Sequence, residues 1–133
     1  MSKKILLLGL IMLITIFTAG CSSILPTIGL APVDEIGILI FEIFPVQIDV
    51  IARGNLPDPC TEISEVLQER EGNTFFVTIK TYRPPGFCIQ VIAPFEEIIP
   101  LEVCGLPAGT YTVDVNGAQG TFDLEVDNIL LKE

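Results

Sequence analysis

The chain has 133 residues, half of them hydrophobic, with 17 acidic residues against seven basic ones and neither histidine nor tryptophan. That is one domain's worth of polypeptide, enough for a core without metals or a dense disulfide framework. A formal net charge of −10 excludes nucleic-acid binding, and the missing histidine removes Ser-His-Asp, Cys-His and histidine-ligated metal chemistry together.

The start of the chain is a leader. Lys3 and Lys4 precede an apolar run, Ile5–Phe17, followed by Thr18, Ala19, Gly20 and Cys21. A positive start, a hydrophobic segment and a small-residue cleavage site make up a secretory signal. The apolar run is 13 residues long, against roughly 20 for a spanning helix. The pattern resembles the lipobox of bacterial lipoproteins at Ala19, Gly20 and Cys21, with Thr18 in a place that the family usually gives to an aliphatic residue. The resemblance implies that residues 1–20 are a cleaved signal helix and that the thiol of Cys21, the new N-terminus, carries lipid. The partner so implied is a membrane, on its extracytoplasmic side. The leader also inflates the mean hydropathy of +0.61. Without it five basic residues face 17 acidic ones, a net of −12, which suits a soluble domain held near a membrane.

Residues 21–33 read as the lipidated tether, since Ser22–Val33 has two prolines, a glycine and no charge. Fully extended, that stretch reaches roughly 40 Å. A domain is expected over 34–128, with 129–133 a tail and fraying from Asp127 onward. Ile36–Phe44 is a β-branched and aromatic run stopped by Pro45. Val46–Leu56 alternates, with Val46, Ile48, Val50 and Ala52 on one face. Gly54–Pro59 is dense in turn residues. Thr61–Arg70 has helical spacing at Ile63, Val66 and Leu67, but Arg70-Glu71-Gly72-Asn73 also reads as a hairpin turn into the strand Thr74–Thr81, and the hairpin is preferred.

Farther on, Arg83–Gly86 breaks the chain and Phe87–Ile92 is expected to resume it as a strand. Pro94–Glu97 reads as a turn, and Ile98–Val103 as a returning strand on which Pro100 argues for an edge. Thr110–Asn116 and Thr121–Val126 form a last hairpin about Asn116-Gly117. Its inward residues are Tyr111, Val113, Val115, Phe122, Leu124 and Val126. Seven or eight short strands spaced by turns predict an all-β fold, an antiparallel sandwich. Leu106–Tyr111 resembles the tyrosine corner of immunoglobulin-like and fibronectin-like domains, which implies a hydrogen bond from Tyr111 back to the preceding turn. Gly54–Cys60, Cys88 with Pro94-Phe95-Glu96, and Leu106–Gly117 together look like a set of small uncharacterised bacterial secreted proteins and lipoproteins. That resemblance carries no activity, but implies that Cys60 and Cys88 belong to one structural feature.

With Cys21 given to lipid, Cys60, Cys88 and Cys104 remain, an odd number for an oxidising compartment. A hairpin centred near Glu71 and Gly72 puts position 60 opposite about position 83, so a short excursion returns Cys88 to Cys60. The rival is Cys88–Cys104, across a hairpin turning at Phe95 and Glu96. Cys60–Cys88 is preferred, and the spare thiol is expected to be a buried small hydrophobe.

Groups for catalysis are few. Ser64 lacks an elbow and a base, and a Ser64–Lys80 dyad is only conceivable. Asp114, Asp123 and Glu125 share the outer face of the last hairpin, where Ca²⁺ would relieve their repulsion; a solvated face is the plainer reading. Tyr82, Phe87 and Phe95, in or beside proline-rich loops, form a candidate sugar- or peptide-binding platform, or plug the end of the sandwich. The expectation is therefore a lipid-anchored envelope protein with a non-enzymatic, cofactor-free binding or accessory domain for an unknown protein, peptide or glycan. The alternatives are a loop-presenting protease inhibitor or a carboxylate- or Ca²⁺-dependent hydrolase.

Overall fold

A computed structural model describes residues 25–129. The expected signal helix, Cys21 and the end of the tail lie outside the described residues, and those residues contain strands and no helix. The strands are β1 (Thr27–Leu30), β2 (Val33–Phe41), β3 (Gln47–Leu56), β4 (Glu62–Glu71), β5 (Thr74–Arg83), β6 (Ala93–Pro100), β7 (Gly109–Val115) and β8 (Ala118–Leu124).

The strands form two sheets, as the sandwich prediction requires. β2, β3 and β6 make one, in that order. In the other, β5 is central, with β4 along one side and β1 and β7 sharing the other, and β8 completes it beyond β7. Alternation places the core between them. Ile48, Val50, Ala52 and Leu56 of β3 are buried, as are Phe75, Val77 and Ile79 of β5 and Tyr111, Val113 and Val115 of β7. The rings of Phe75, Tyr111 and Phe122 cluster with centroids 5.5–6.1 Å apart. Each such side chain contributes about 1.5–3 kcal/mol by leaving water. Tyr111 donates its hydroxyl to Pro107 O at 2.7 Å, the bond implied by the tyrosine-corner resemblance.

Pairing is antiparallel except between β5 and β7, which run parallel. β1 covers only the Arg83 half of β5, from Thr27 opposite Arg83 to Leu30 opposite Lys80. β7 takes the other half, with Thr74 opposite Thr112 and Val77 opposite Val115. Asn116 closes the seam. Its Oδ1 accepts from Ile79 N at 3.0 Å, and its Nδ2 donates to Ile79 O at 3.0 Å and Ala31 O at 2.9 Å. The side-chain amide thus stands in for a missing strand peptide. It can do so because Asn116 has a φ of 50°, a left-handed value that asparagine tolerates.

Local expectations are corrected at three places. Regular structure begins at Thr27, inside the stretch read as tether, because β5 would otherwise expose half an edge. The 61–70 segment is the strand β4, as the preferred hairpin reading has it; a register shift between Ile63 and Glu65 breaks its alternation. Phe87–Ile92 is not a strand but the crossing from one sheet to the other, and Pro94–Glu97 lies within β6. Among the described residues β6 pairs only with β3, so Pro94 and Pro100 withhold N–H groups that no second neighbour there needs. Finally Val126 is exposed, and the expected fraying from Asp127 fails at Asn128, which is wholly buried.

Register also defines the ends of the sandwich. Arg83, Thr27, Glu62, Leu56 and Ala93 meet at one end through the pairs Thr27–Arg83, Glu62–Tyr82 and Leu56–Ala93. The β3–β4 and β5–β6 loops and the entry of the chain therefore share that end.

Candidate functional site

Asp58 organises the shared end. It follows Pro57 and precedes Pro59, in a turn where an aspartate accepts from the backbone two and three residues on. Its Oδ1 accepts from Cys60 N at 3.0 Å, Thr61 N at 2.8 Å and Thr61 Oγ1 at 2.9 Å. Its Oδ2 accepts from Arg83 Nε at 2.8 Å, which ties the β3–β4 loop to the end of β5. Cys60 is bonded to Cys88 with Cα atoms 6.2 Å apart, so the β5–β6 loop is fastened to the same knot. The preferred pairing is the one observed, and Cys88–Cys104 falls with the hairpin it required. Cys104 is free and, against expectation, exposed.

Burial is the largest single influence on the Asp58 carboxyl and pushes its pKa up. The hydrogen bonds from Thr61 and Arg83, with the Arg83 charge, together outweigh it and hold the group below the ordinary aspartate value. The unfolded chain then binds the more protons in acid. The stabilisation from Asp58 is complete above the ordinary aspartate pKa and is lost as pH falls through the lower folded value. We expect Asp58→Asn to flatten the acid limb of the stability curve, measured by urea unfolding from neutrality to about pH 2. An unchanged acid limb would contradict this.

Asp58, Cys60 and Cys88 bring a carboxylate oxygen and two sulfurs within 4.8 Å of one another. Thiolate is the metal-binding form of cysteine, and both sulfurs are committed to the bridge. The carboxylate is likewise saturated by four donors. The knot is structural in this state.

A groove of about 510 Å³ opens beside it, lined by Asp34, Glu35, Arg53, Asn55, Phe95 and Glu96 among others. Gly54 forms its floor, where a Cβ would collide with the Pro32 carbonyl oxygen and the Phe95 ring. Arg53 Nε donates to Glu96 at 2.9 Å, and Glu35 lies 3.9 Å from its other end. The hydrogen bond to Glu96 and then the Glu96 charge raise the Arg53 pKa against the opposing effect of burial, with the Glu35 charge adding least. The guanidinium is therefore occupied by its own neighbours. Asn55 Nδ2 donates to Asp34 at 3.0 Å.

The remaining candidates are dispersed. Asp114 accepts from Gly117 N at 2.9 Å and Gln119 Nε2 at 3.0 Å, whereas Asp123 accepts from Thr110 Oγ1 at 2.6 Å. The Asp114–Gln119 and Thr110–Asp123 pairs stand four rungs apart, on the order of 13 Å. Glu125 is exposed just beyond β8. The structure does not bring these three carboxylates together. Tyr82 is on β5, Phe95 packs against the core from β6, and Phe87 projects from the loop between them at 95% exposure. Ser64 is exposed on β4, and Lys80 Nζ lies 3.8 Å from Glu65.

Sequence reasoning overlooked Asp58, although Pro-Asp-Pro-Cys-Thr carries the turn signature that places it. It also overlooked Asn116 as a seam-closing amide, having read only its turn.

Comparison with known proteins places the common part of the chain in the sandwich. The sequence model of the ORF11 beta-sandwich domain matches residues 50–124, from β3 to the end of β8. An "Uncharacterized 10.2 kDa protein in HgiCIIM 5'region" of Herpetosiphon aurantiacus is 38% identical over 85 residues, 63% of this chain and 89% of that protein. A second from the same organism, in the HgiBIM 5'region, is 40% identical over 73 residues, 54% of this chain and 88% of its own. No solved structure matches. The chain belongs to the ORF11 beta-sandwich domain family.

Proposed function

We propose that this member of the ORF11 beta-sandwich family is an extracytoplasmic lipoprotein of the cell envelope, held to a membrane through lipid on Cys21. Its domain acts as a non-enzymatic binding or accessory module. The observation that carries this reading is the Lys3–Cys21 leader, which ends only six residues before a disulfide-bonded sandwich begins at Thr27. A bridge such as Cys60–Cys88 persists in oxidising compartments, which is where such a leader delivers a chain.

The non-enzymatic part is supported by what the chain offers for chemistry. It has no histidine, the carboxylate of Asp58 is saturated, and the outer carboxylates of the last hairpin stand apart. Loops at the end of a rigid sandwich are the ordinary place for binding.

Cys21→Ser tests the anchor. The wild-type chain is expected in the membrane fraction of its host and in the detergent phase on partition, and the variant in the soluble fraction. A variant cleaved before residue 21 that still partitions like wild type would overturn lipid anchoring at Cys21.

A further inference from the structure

The loop from Pro84 to Ile92 contains no charged residue in a chain with 17 acidic ones. It nevertheless exposes its apolar side chains: Phe87 at 95%, Ile92 at 67%, Ile89 at 58% and Val91 at 56%. Where the chain enters the same end, Leu25 and Ile28 are 83% and 72% exposed. The two groups are neighbours because Thr27 pairs with Arg83, the residue before the loop. Of the charges at this end, Arg83 and Asp58 are bonded to each other, and Glu62 stands exposed at the start of β4. Apolar surface of this kind on one end of an acidic domain marks an interaction site.

The chain's own beginning indicates the occupant. Cys21 stands four residues before Leu25, a reach of at most about 14 Å. A strand as long as β5, ten residues, spans about 33 Å. A lipid on Cys21 therefore holds the Arg83 end of the sandwich near the bilayer and leaves the far end out of reach. That far end also exposes Ile43 and Phe44, and it is the reach from Cys21 that separates the two ends.

We infer that the surface formed by the uncharged loop Pro84–Ile92 with Leu25 and Ile28 is a membrane-docking surface, whose apolar side chains enter the interfacial region of the bilayer to which Cys21 is anchored. This rests on the reading of Cys21 as lipidated. The docking fixes orientation: the strands stand away from the membrane and the acidic surface faces solvent. An uncharged contact suits zwitterionic lipid, and insertion of a few side chains to a depth of about 5–10 Å suffices. It also supplies the second attachment that makes anchoring by acyl chains durable.

The chain has no tryptophan, so Phe87→Trp and, at the far end, Phe44→Trp each introduce a single reporter at an exposed aromatic position. Each full-length variant is purified from bacterial membranes and reconstituted into phosphatidylcholine vesicles with or without brominated acyl chains. Intact mass and flotation with the vesicles report the anchor separately. We expect the Phe87→Trp indole to emit at shorter wavelength and to lose about half its intensity to bromine, consistent with interfacial depth, while the Phe44→Trp indole is unaffected. Floating, acylated protein whose Phe87→Trp indole stays open to iodide and unquenched by bromine overturns docking alone, and returns the loop to a protein ligand such as a protease. Stronger quenching at Phe44→Trp overturns the orientation. Protein that neither carries acyl groups nor floats overturns the anchor and the docking with it.

Discussion

Asn128→Ala is expected to lower the stability of the domain by about 3 kcal/mol, an effect as large as that of truncating a core aliphatic side chain. Asn128 is completely buried. Its Oδ1 accepts from Val46 N at 2.7 Å, and its Nδ2 donates to Val46 O and Val103 O, each at 3.0 Å. The amide thus pins the entry to β3 against the loop after β6. Its backbone joins the same loop, donating to Leu106 O at 2.8 Å and accepting from Gly105 N at 2.7 Å. Alanine would leave the Val46 donor and acceptor without partners and a void where the amide was. Each unpaired group costs about 1–3 kcal/mol, and Val103 O keeps its weaker bond from Leu106 N at 3.3 Å. For a domain of this size the melting temperature should fall by about 10–20 °C. Urea unfolding checks the value; a loss below about 1 kcal/mol would mean that the loop closes without Asn128.

The Cys60→Ala, Cys88→Ala double variant is expected to lose about 3–4 kcal/mol. The bridge spans 28 residues, a loop whose closure restricts the unfolded chain by about that much. In the folded state it joins the β3–β4 and β5–β6 loops, neither of which is held by a ladder beyond Leu56 and Arg83. Cys104→Ala is the control. Its thiol is free and exposed, so that change should stay within about 0.5 kcal/mol. Thermal unfolding of wild type with and without reductant should reproduce the difference between the two variants. Equal stability of wild type and double variant would contradict this account of the knot.

What the sequence disclosed of the fold depended on where each strand sits. β3 and β5 are central and half-buried, so Ile48-Val50-Ala52 and Phe75-Val77-Ile79 alternate cleanly and their faces were legible. β4 and β6 are edges. No residue of β4 is fully buried, which removes selection for alternation and let Ile63, Val66 and Leu67 imitate a helix. On β6 an edge tolerates Pro94 and Pro100, and prolines written into a strand read as turns. The bridge was legible because hairpin arithmetic is local: placing Glu62 near Tyr82 brings position 60 close to the loop that carries Cys88.

The polar clamps were not legible, for a different reason. Asn128 and Val46 are 82 residues apart, and Asn116 meets Ala31 across 85. Such partners exist only after the sheets assemble, so no spacing in the chain announces them. The same holds for the parallel pairing of β5 and β7, which follows from β1 stopping halfway along β5. The carboxylates of the last hairpin illustrate the converse: a strand pattern placed them on one face, but the register set Asp114 and Asp123 four rungs apart.

The central claim is that a cleaved leader delivers a lipid-anchored, singly bridged sandwich to the envelope, and the intact mass of the mature protein from its own host tests it most directly. The account predicts a chain that begins at Cys21, carries acyl groups there and is lighter by the pair of hydrogens lost in forming Cys60–Cys88. A chain without lipid, cleaved at another residue or not cleaved, would contradict it.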